Sequence, residues 1–163
     1  MAGEELDDTC IVERIQRRRG WMFWACFSGT SKGPCLFWEK EWKSINKESY
    51  CERIAPLIHG CLRLNPHLKF MQDRAPGHAA AYTIEELRER GVHPIFWPAF
   101  SPDLNPIKAV WNRMKDYIEM NYLDSPGGRR PTYKQLRGIV QEAWDLVSLN
   151  FLRELIKSML ARC

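Results

Sequence analysis

The sequence of 163 residues lacks several features that would assign it to a common class of protein. It contains six cysteines but no Cys-x-x-Cys pair, and no histidines are spaced for zinc. This spacing favours buried or incidental thiols in a reducing compartment over a disulfide framework. No apolar run approaches the roughly 20 residues that span a bilayer, and the acidic N-terminus lacks the apolar stretch of a signal peptide. We therefore expect a nuclear or otherwise intracellular protein with no membrane partner.

A strong excess of charge of either sign is also absent. The net charge is +4 and the pI is about 8.8, which suits contact with polyanions without requiring it. Hydrophobic residues make up 45% of the chain and charged residues 27%, so the chain can bury a core and does not have the composition of a disordered protein. The length favours one domain.

Short apolar runs closed by turn residues alternate with helical patterns along the chain. The predicted strands cover residues 21–27, 35–38, 68–73 and 92–97, and the predicted helices cover 46–62, 79–90 and three segments beginning near Pro106, Thr132 and Asn150. The first two strands should form a hairpin, and the strand that ends at Asp73 should be central in the sheet. Gly91 should end the second helix, Thr132 and Gln135 should form a capping box, and Asn150 should cap the last helix. Pro56 is expected to bend the first helix. Strands that alternate with helices predict an α/β layered domain with parallel strand pairs, in which acids at the carboxyl ends of strands carry the chemistry.

Two blocks of sequence carry the functional signal. The first reads Phe-Met-Gln-Asp-Arg-Ala-Pro-Gly-His over residues 70–78, and the second reads Trp-Pro-Ala-Phe-Ser-Pro-Asp-Leu-Asn-Pro-Ile-Lys over residues 97–108. Together they resemble the second and third blocks of the mariner-type DDE superfamily transposases, whose pattern is QD-N-AP-x-H followed by W-P-x-x-SPDLNPIE. The resemblance covers about residues 20–120. Residues 1–19 are then a polar tail, and residues 121–163 are a helical extension of the same domain.

The resemblance implies an RNase H-like fold, a mixed sheet flanked by helices. It also implies phosphoryl transfer on DNA by two divalent cations, Mg²⁺ or Mn²⁺, held by three carboxylates. Asp73 matches the second acid of the family. The first acid belongs to a strand that should precede residue 21, where the chain offers only Asp7 and Asp8 in a polar stretch. A pair of acids in such a stretch is typical of a solvated charge run, so we expect the first strand to be missing.

The third acid of the family is replaced. It should follow the second acid with 34 residues between them, and this position is Lys108. An ammonium group cannot ligate Mg²⁺, and we expect it to lie close to Asp73 and to pair with its carboxylate. Asp103 is not an obvious substitute, because the resemblance places it in the turn before the helix. Any metal should therefore be bound weakly or not at all.

Several other residues are candidates for contacts with DNA. Arg74 replaces the family's usual asparagine and sets a cation beside Asp73. His78 stands where it would orient that acid or a phosphate, although a structural histidine at a helix start fits the pattern almost as well. Arg129 and Arg130 lie in a Gly-containing loop, where a solvated surface is the default. The tryptophans at 97 and 111 offer stacking surfaces for bases, but aromatic residues beside apolar neighbours are usually core.

Three functional hypotheses follow from these residues. The first is a transposase-derived DDE endonuclease domain that binds DNA non-specifically and has lost cutting. The second is a domesticated protein-interaction or structural module with the same fold. The third is an active metal-dependent endonuclease that uses an acid outside the motif. A second copy of the chain is the other partner that the sequence leaves open.

Overall fold

The computed structural model of the chain describes residues 21–96, 104–123 and 131–159. Within these segments strands and helices alternate up to β4, and the elements after β4 are helical. The strands are β1 (Met22–Phe27), β2 (Lys32–Trp38), β3 (Met71–Gln72) and β4 (Ile95–Phe96). The helices are α1 (Lys47–Arg53), α2 (Ala55–Leu64), α3 (Pro76–Ala79), α4 (Ala81–Glu89), α5 (Ile107–Ile118), α6 (Tyr133–Leu146) and α7 (Leu149–Met159), with a 3₁₀ turn at Lys40–Trp42 and a π turn at Glu119–Leu123.

Strands β1 and β2 form the predicted antiparallel hairpin. The register shifts where Gly33 and Pro34 of β2 stand opposite a single residue, Cys26 of β1. Because Pro34 has no N–H to donate to the ladder, the extra residue is accommodated as a bulge. Strand β2 therefore begins at Lys32, earlier than the predicted start at Cys35. The sequence pattern assigns Gly33 and Pro34 to a turn, but the bulge allows both residues to be part of the strand.

The hairpin separates two hydrophobic clusters. Alternate residues of a strand point to opposite faces of a sheet, and Phe23 and Ala25 accordingly pack against the buried side chains of α5, α6 and α7. Trp24 and Leu36 pack on the other side, against α1 and α2. The aromatic run that begins at Trp21 is therefore divided between two cores rather than buried in one.

Helices α1 and α2 meet at the predicted bend. The Asn46 side chain accepts the Ser49 N–H at 2.8 Å and forms a capping box at the start of α1. The break falls at Ile54, two residues before Pro56, which lies in the first turn of α2. A proline is tolerated in that turn because its missing N–H would have had no partner in the helix. The bend predicted from the sequence is confirmed.

Strands β3 and β4 form a separate parallel pair, in which Met71 is opposite Ile95 and Gln72 is opposite Phe96. Both are shorter than predicted. The parallel pairing is confirmed, but the expectation that the strand leading to Asp73 is central in a larger sheet is wrong for the described segments. There the sheet consists of two separate two-stranded pieces.

The helix predicted over residues 79–90 begins two residues later, as α4 at Ala81, and the four-residue helix α3 precedes it. Ala80 between them has an extended backbone, with φ −59° and ψ 137°, and the buried Thr83 hydroxyl donates to the Gly77 carbonyl at 2.6 Å across the break. Helix α4 ends at Glu89 with Arg90 as its C-cap, and the glycine predicted to end it, Gly91, follows directly. The φ of Gly91 is +72°, which a residue without Cβ adopts at no steric cost.

Helices α5 to α7 follow the predicted apolar spacing. The capping box of Thr132 and Gln135 at the start of α6 is confirmed. The prediction that Asn150 caps the last helix is wrong, because the Ser148 hydroxyl accepts the Phe151 N–H at 3.2 Å and α7 already begins at Leu149. None of the helices in the described segments combines the length and apolar character needed to cross a bilayer.

Candidate active site

The first candidate acid, Asp73, directly follows strand β3. Its side chain is 34% exposed. One carboxylate oxygen, Oδ1, accepts the backbone N–H of Ala75 at 3.2 Å and a hydrogen bond from Nδ1 of His78 at 2.7 Å. The turn after β3 therefore fixes the carboxylate through one oxygen. The other oxygen, Oδ2, is directed toward the start of α5.

His78 lies in the short helix α3 and links Asp73 to the core. Its ring packs against the ring of Tyr50 in α1, with the centroids 4.8 Å apart. The Tyr50 hydroxyl in turn donates to Oε1 of Gln72 at 2.6 Å. Burial raises the pKa of Tyr50 well above its ordinary value, so the phenol stays protonated and remains a hydrogen-bond donor. A buried network thus orients the imidazole that contacts the acid.

Gln72 is the residue of this network that sequence reasoning missed. It is only 7% exposed, and its Nε2 atom has no hydrogen-bond partner among the described residues. Gln72 stands within the first motif block, but that block gives no indication of the contact with Tyr50, which lies 22 residues earlier in another element. The spacing of apolar residues in α1 predicted only that Tyr50 is buried.

Lys108 lies in the first turn of α5, and the predicted proximity to Asp73 is confirmed. Its Nζ atom is 3.9 Å from Oδ2 of Asp73, and its side chain is 53% exposed. The helix starts where the motif predicts, because Oδ1 of Asn105 accepts the Ile107 N–H at 3.4 Å and its carbonyl accepts the Lys108 N–H. This turn at Asn105 sets the position of the first turn of α5, where the ammonium group lies beside the carboxylate.

The other predicted contacts are placed differently. The Arg74 guanidinium lies over the ring of Phe96, 5.4 Å from its centroid, beside the two strand ends. Trp111 packs in the core against Phe23 and Trp144, so the core interpretation of this tryptophan holds. Some predicted residues lie outside the described residues, namely Arg129, Arg130, Asp103, Trp97 and the polar stretch 1–19.

The described side chains do not fit a two-metal centre. Such a centre needs several carboxylates around both ions, yet no group of three or more histidine, cysteine, aspartate or glutamate residues is placed to hold a metal in the described segments. The donor set at the predicted position is one carboxylate with a lysine ammonium at its available oxygen. Positive charge is thus already present where a cation would bind.

Residues 4–126 match the family model described as DDE superfamily endonuclease. The chain belongs to this family. It is 28% identical over 144 residues to the Transposable element Tcb1 transposase of Caenorhabditis briggsae, and 28% identical over 146 residues to the Transposable element Tc1 transposase of Caenorhabditis elegans. Each alignment covers 87% of this chain and 49% of the relative, so the chain spans about half the length of these curated relatives.

Solved structures of the Mos1 mariner transposase share the fold. The crystal structure of its catalytic domain matches with a TM-score of 0.70 at 17% identity, over 87% of this chain and 70% of that one. The Mos1 paired-end complex with the left transposon end matches with a TM-score of 0.71 at 18% identity, over 99% of this chain and 48% of that one. The RNase H-like fold of a mariner-type DDE transposase catalytic domain, predicted from the two motif blocks, is confirmed.

Proposed function

We propose that this member of the DDE superfamily endonucleases binds DNA through phosphate contacts and does not cut it. One observation carries the proposal, namely the ammonium of Lys108 at 3.9 Å from the available oxygen of Asp73. Cutting by two-metal catalysis requires that oxygen to ligate a divalent ion. Here the oxygen faces a cation that is covalently attached to the protein.

The charge balance around Asp73 supports weak or absent metal binding. Mg²⁺ requires oxygen ligands at about 2.0–2.1 Å in a nearly octahedral arrangement. An ion on Oδ2 would stand within a few ångströms of the Lys108 ammonium, and the repulsion would oppose binding. The other oxygen of Asp73 is committed to His78 and to the Ala75 N–H. The site is therefore closer to a carboxylate–ammonium pair than to a metal centre.

DNA contact is proposed on different grounds. The Mos1 relative has been solved with a transposon end, and the present chain carries a net charge of +4. Lys108 and Arg74 place two cations near the carboxyl ends of β3 and β4. Such cations bind phosphate oxygens irrespective of base sequence. Arg129 and Arg130 are further candidates from the sequence. We therefore infer low-affinity, non-specific binding to DNA.

Cleavage assays test the proposal most directly. The chain should leave supercoiled plasmid and transposon-end duplexes uncut in Mg²⁺ or Mn²⁺, with the same background as the Asp73→Ala variant. Metal-dependent cleavage that is lost in Asp73→Ala would overturn the proposal, since it would show that an acid elsewhere completes the site.

A salt titration of DNA binding tests the second part. The logarithm of the association constant should fall linearly with the logarithm of salt concentration, and the slope should become shallower by about one unit in Lys108→Ala if that lysine contacts a phosphate. Binding that is undetectable at low salt would remove the DNA-binding proposal. That result would favour the alternative of a protein-interaction module with a transposase fold.

A further inference from the structure

Two thiols lie near the bulge in the hairpin, Cys26 in β1 and Cys61 in α2, and neither belongs to the candidate active site. Cys26 lies opposite Gly33 and Pro34, and its Sγ atom is 3.8 Å from the Pro34 carbonyl oxygen. A Cβ atom at position 33 would stand 2.5 Å from this sulfur. Glycine is therefore required at position 33 for the thiol to occupy its place, directed away from the ladder and toward helix α2.

The second thiol, Cys61, belongs to α2 and lines an open cavity of about 350 Å³ with Gly33, Pro34, Leu57, Gly60 and Leu64. Both thiols are free and partly exposed. Gly33, which packs against the Cys26 sulfur, lines this cavity together with Cys61, so the two thiols lie on either side of the same glycine. Gly60 has no atom within 4 Å of the place a Cβ would take, so this part of the cavity is uncrowded. A small reagent can thus reach Cys61 from solvent, and Cys26 packs against Gly33 of the same cavity wall.

We propose that Cys61 is a modification site for low-molecular-weight disulfides such as oxidised glutathione, and that Cys26 resolves the adduct into an internal disulfide. Cys61 loses its proton to solvent, and its thiolate attacks one sulfur of the reagent. The reagent's S–S bond breaks and one thiolate leaves, taking up a proton. Cys26 then loses its proton and attacks Sγ of Cys61, which expels the second thiol. The protein dithiol is oxidised by two electrons and the reagent is reduced to two thiols.

The order of the two steps follows from the surroundings of the sulfurs. Burial, with a contribution from the neighbouring Cys61 thiol, raises the pKa of Cys26 to about 12. A thiol of this kind is a poor first nucleophile, because the thiolate is the reactive form. Once Cys61 carries the reagent, Cys26 on the other side of Gly33 reacts within the same molecule, where proximity compensates for its low thiolate fraction.

The crosslink would join the hairpin to the helical layer that contains Tyr50. Closing a loop between residues 26 and 61 restricts the unfolded chain, so the oxidised protein should melt several degrees higher, by roughly 5 °C or more. The inference does not depend on DNA binding or on the absence of cutting. It is therefore tested separately from the proposed function.

Peptide mapping of the full chain gives a direct test. The protein is incubated with oxidised glutathione, the remaining thiols are alkylated, and the protein is digested with trypsin without reduction. Trypsin places Cys26 in the peptide 20–32 and Cys61 in the peptide 54–63, whereas Cys35 falls in 33–40. The expected product is the linked pair of 20–32 with 54–63, lighter than the two reduced peptides by the mass of two hydrogen atoms.

Three single variants separate the roles. Cys26→Ser should stop at glutathione attached to peptide 54–63, while Cys61→Ser should yield neither the adduct nor the crosslink. Cys35→Ser is the matched control, since it lies in the same hairpin but contacts Gln141 on the opposite face, and it should behave as the parent. The proposal is overturned if Cys61 stays unmodified in the folded parent chain, or if the linked peptides contain another cysteine. This result needs only the parent chain, so it stands even if a variant does not fold.

Discussion

Replacing Lys108 with glutamate reverses the charge at the candidate active site and should create measurable Mg²⁺ binding. The Lys108 ammonium lies 3.9 Å from Oδ2 of Asp73. A carboxylate in its place would give a metal ion bound at Oδ2 a second anionic ligand. The substitution changes the side-chain charge by two units, and Mg²⁺ carries two charges, so the change equals four unit-charge interactions. Each is about 1 kcal/mol at about 4 Å in water. The side chain is half exposed, so salt screening and side-chain mobility reduce the gain to about 1.5–3 kcal/mol.

The expected result is Mg²⁺ binding about 10- to 100-fold tighter in Lys108→Glu than in the parent. Calorimetric titration with MgCl₂ measures this directly. A melting temperature that rises with Mg²⁺ concentration in the variant, but not in the parent, is the corresponding stability readout. Cleavage should stay at background, because one restored ligand leaves the constellation incomplete, and the residues of such a site act as a unit.

Lys115→Glu is the matched control for this experiment. It makes the same charge change on the same face of α5, two turns farther along the helix and about 10.5 Å away, where salt screens most of the interaction. The reasoning is refuted if Lys115→Glu tightens Mg²⁺ binding as much as Lys108→Glu does. It is equally refuted if the gain survives in the double variant with Asp73→Asn, since the bound ion would then not use the Asp73 carboxylate.

Three further substitutions test the supporting structure. Tyr50→Phe should lower the free energy of unfolding by about 1–3 kcal/mol in urea denaturation, because the buried Gln72 amide then loses its hydroxyl partner. Thr132→Ala should cost about 1 kcal/mol in the same assay through loss of the α6 cap. Hydrogen bonds from two tyrosine hydroxyls lower the pKa of Glu142, so its contribution to stability is present above its unfolded-state pKa and lost as pH falls through the lowered value. Glu142→Gln should therefore reduce stability at neutral pH and reduce its dependence on pH in the acid range.

Local sequence patterns predicted most of the helices and the hairpin. Amphipathic spacing in α5 and α6 marks Val110, Met114 and Trp144 as core residues, and each is buried. Caps were also predictable where the capping side chain follows a turn, as at Thr132. The start of α7 was predicted to within one residue, but the capping residue was not, because Ser148 rather than Asn150 accepts the Phe151 N–H; serine and asparagine are both good caps.

Non-local pairing set the limits of prediction. The apolar runs that suggested strands of six residues give only two paired residues each in β3 and β4, because a ladder extends only where both strands remain adjacent. The division between α3 and α4 likewise depends on the Thr83 hydroxyl reaching the Gly77 carbonyl. At the site, the family spacing predicted that Asp73 and Lys108 lie close together. The hydrogen bond between Tyr50 and Gln72, and the packing of Tyr50 on His78, could not be predicted because these residues are distant in sequence.

The arrangement around Asp73 gives a physical reason for a lysine at this position. Carboxylates gathered for metal binding repel one another when no metal is bound, so an apo site of that kind lowers the stability of the fold. The Lys108 ammonium balances the charge of Asp73 without an ion, and His78 satisfies the other oxygen. If the proposed function is correct, a lysine here removes the stability cost of the site together with its capacity for two-metal chemistry, as expected where activity does not constrain an active site. We expect the Lys108→Glu variant to be less stable than the parent without Mg²⁺ and to regain stability as Mg²⁺ is added. A single titration would then show both the repulsion between the carboxylates and their binding of the metal.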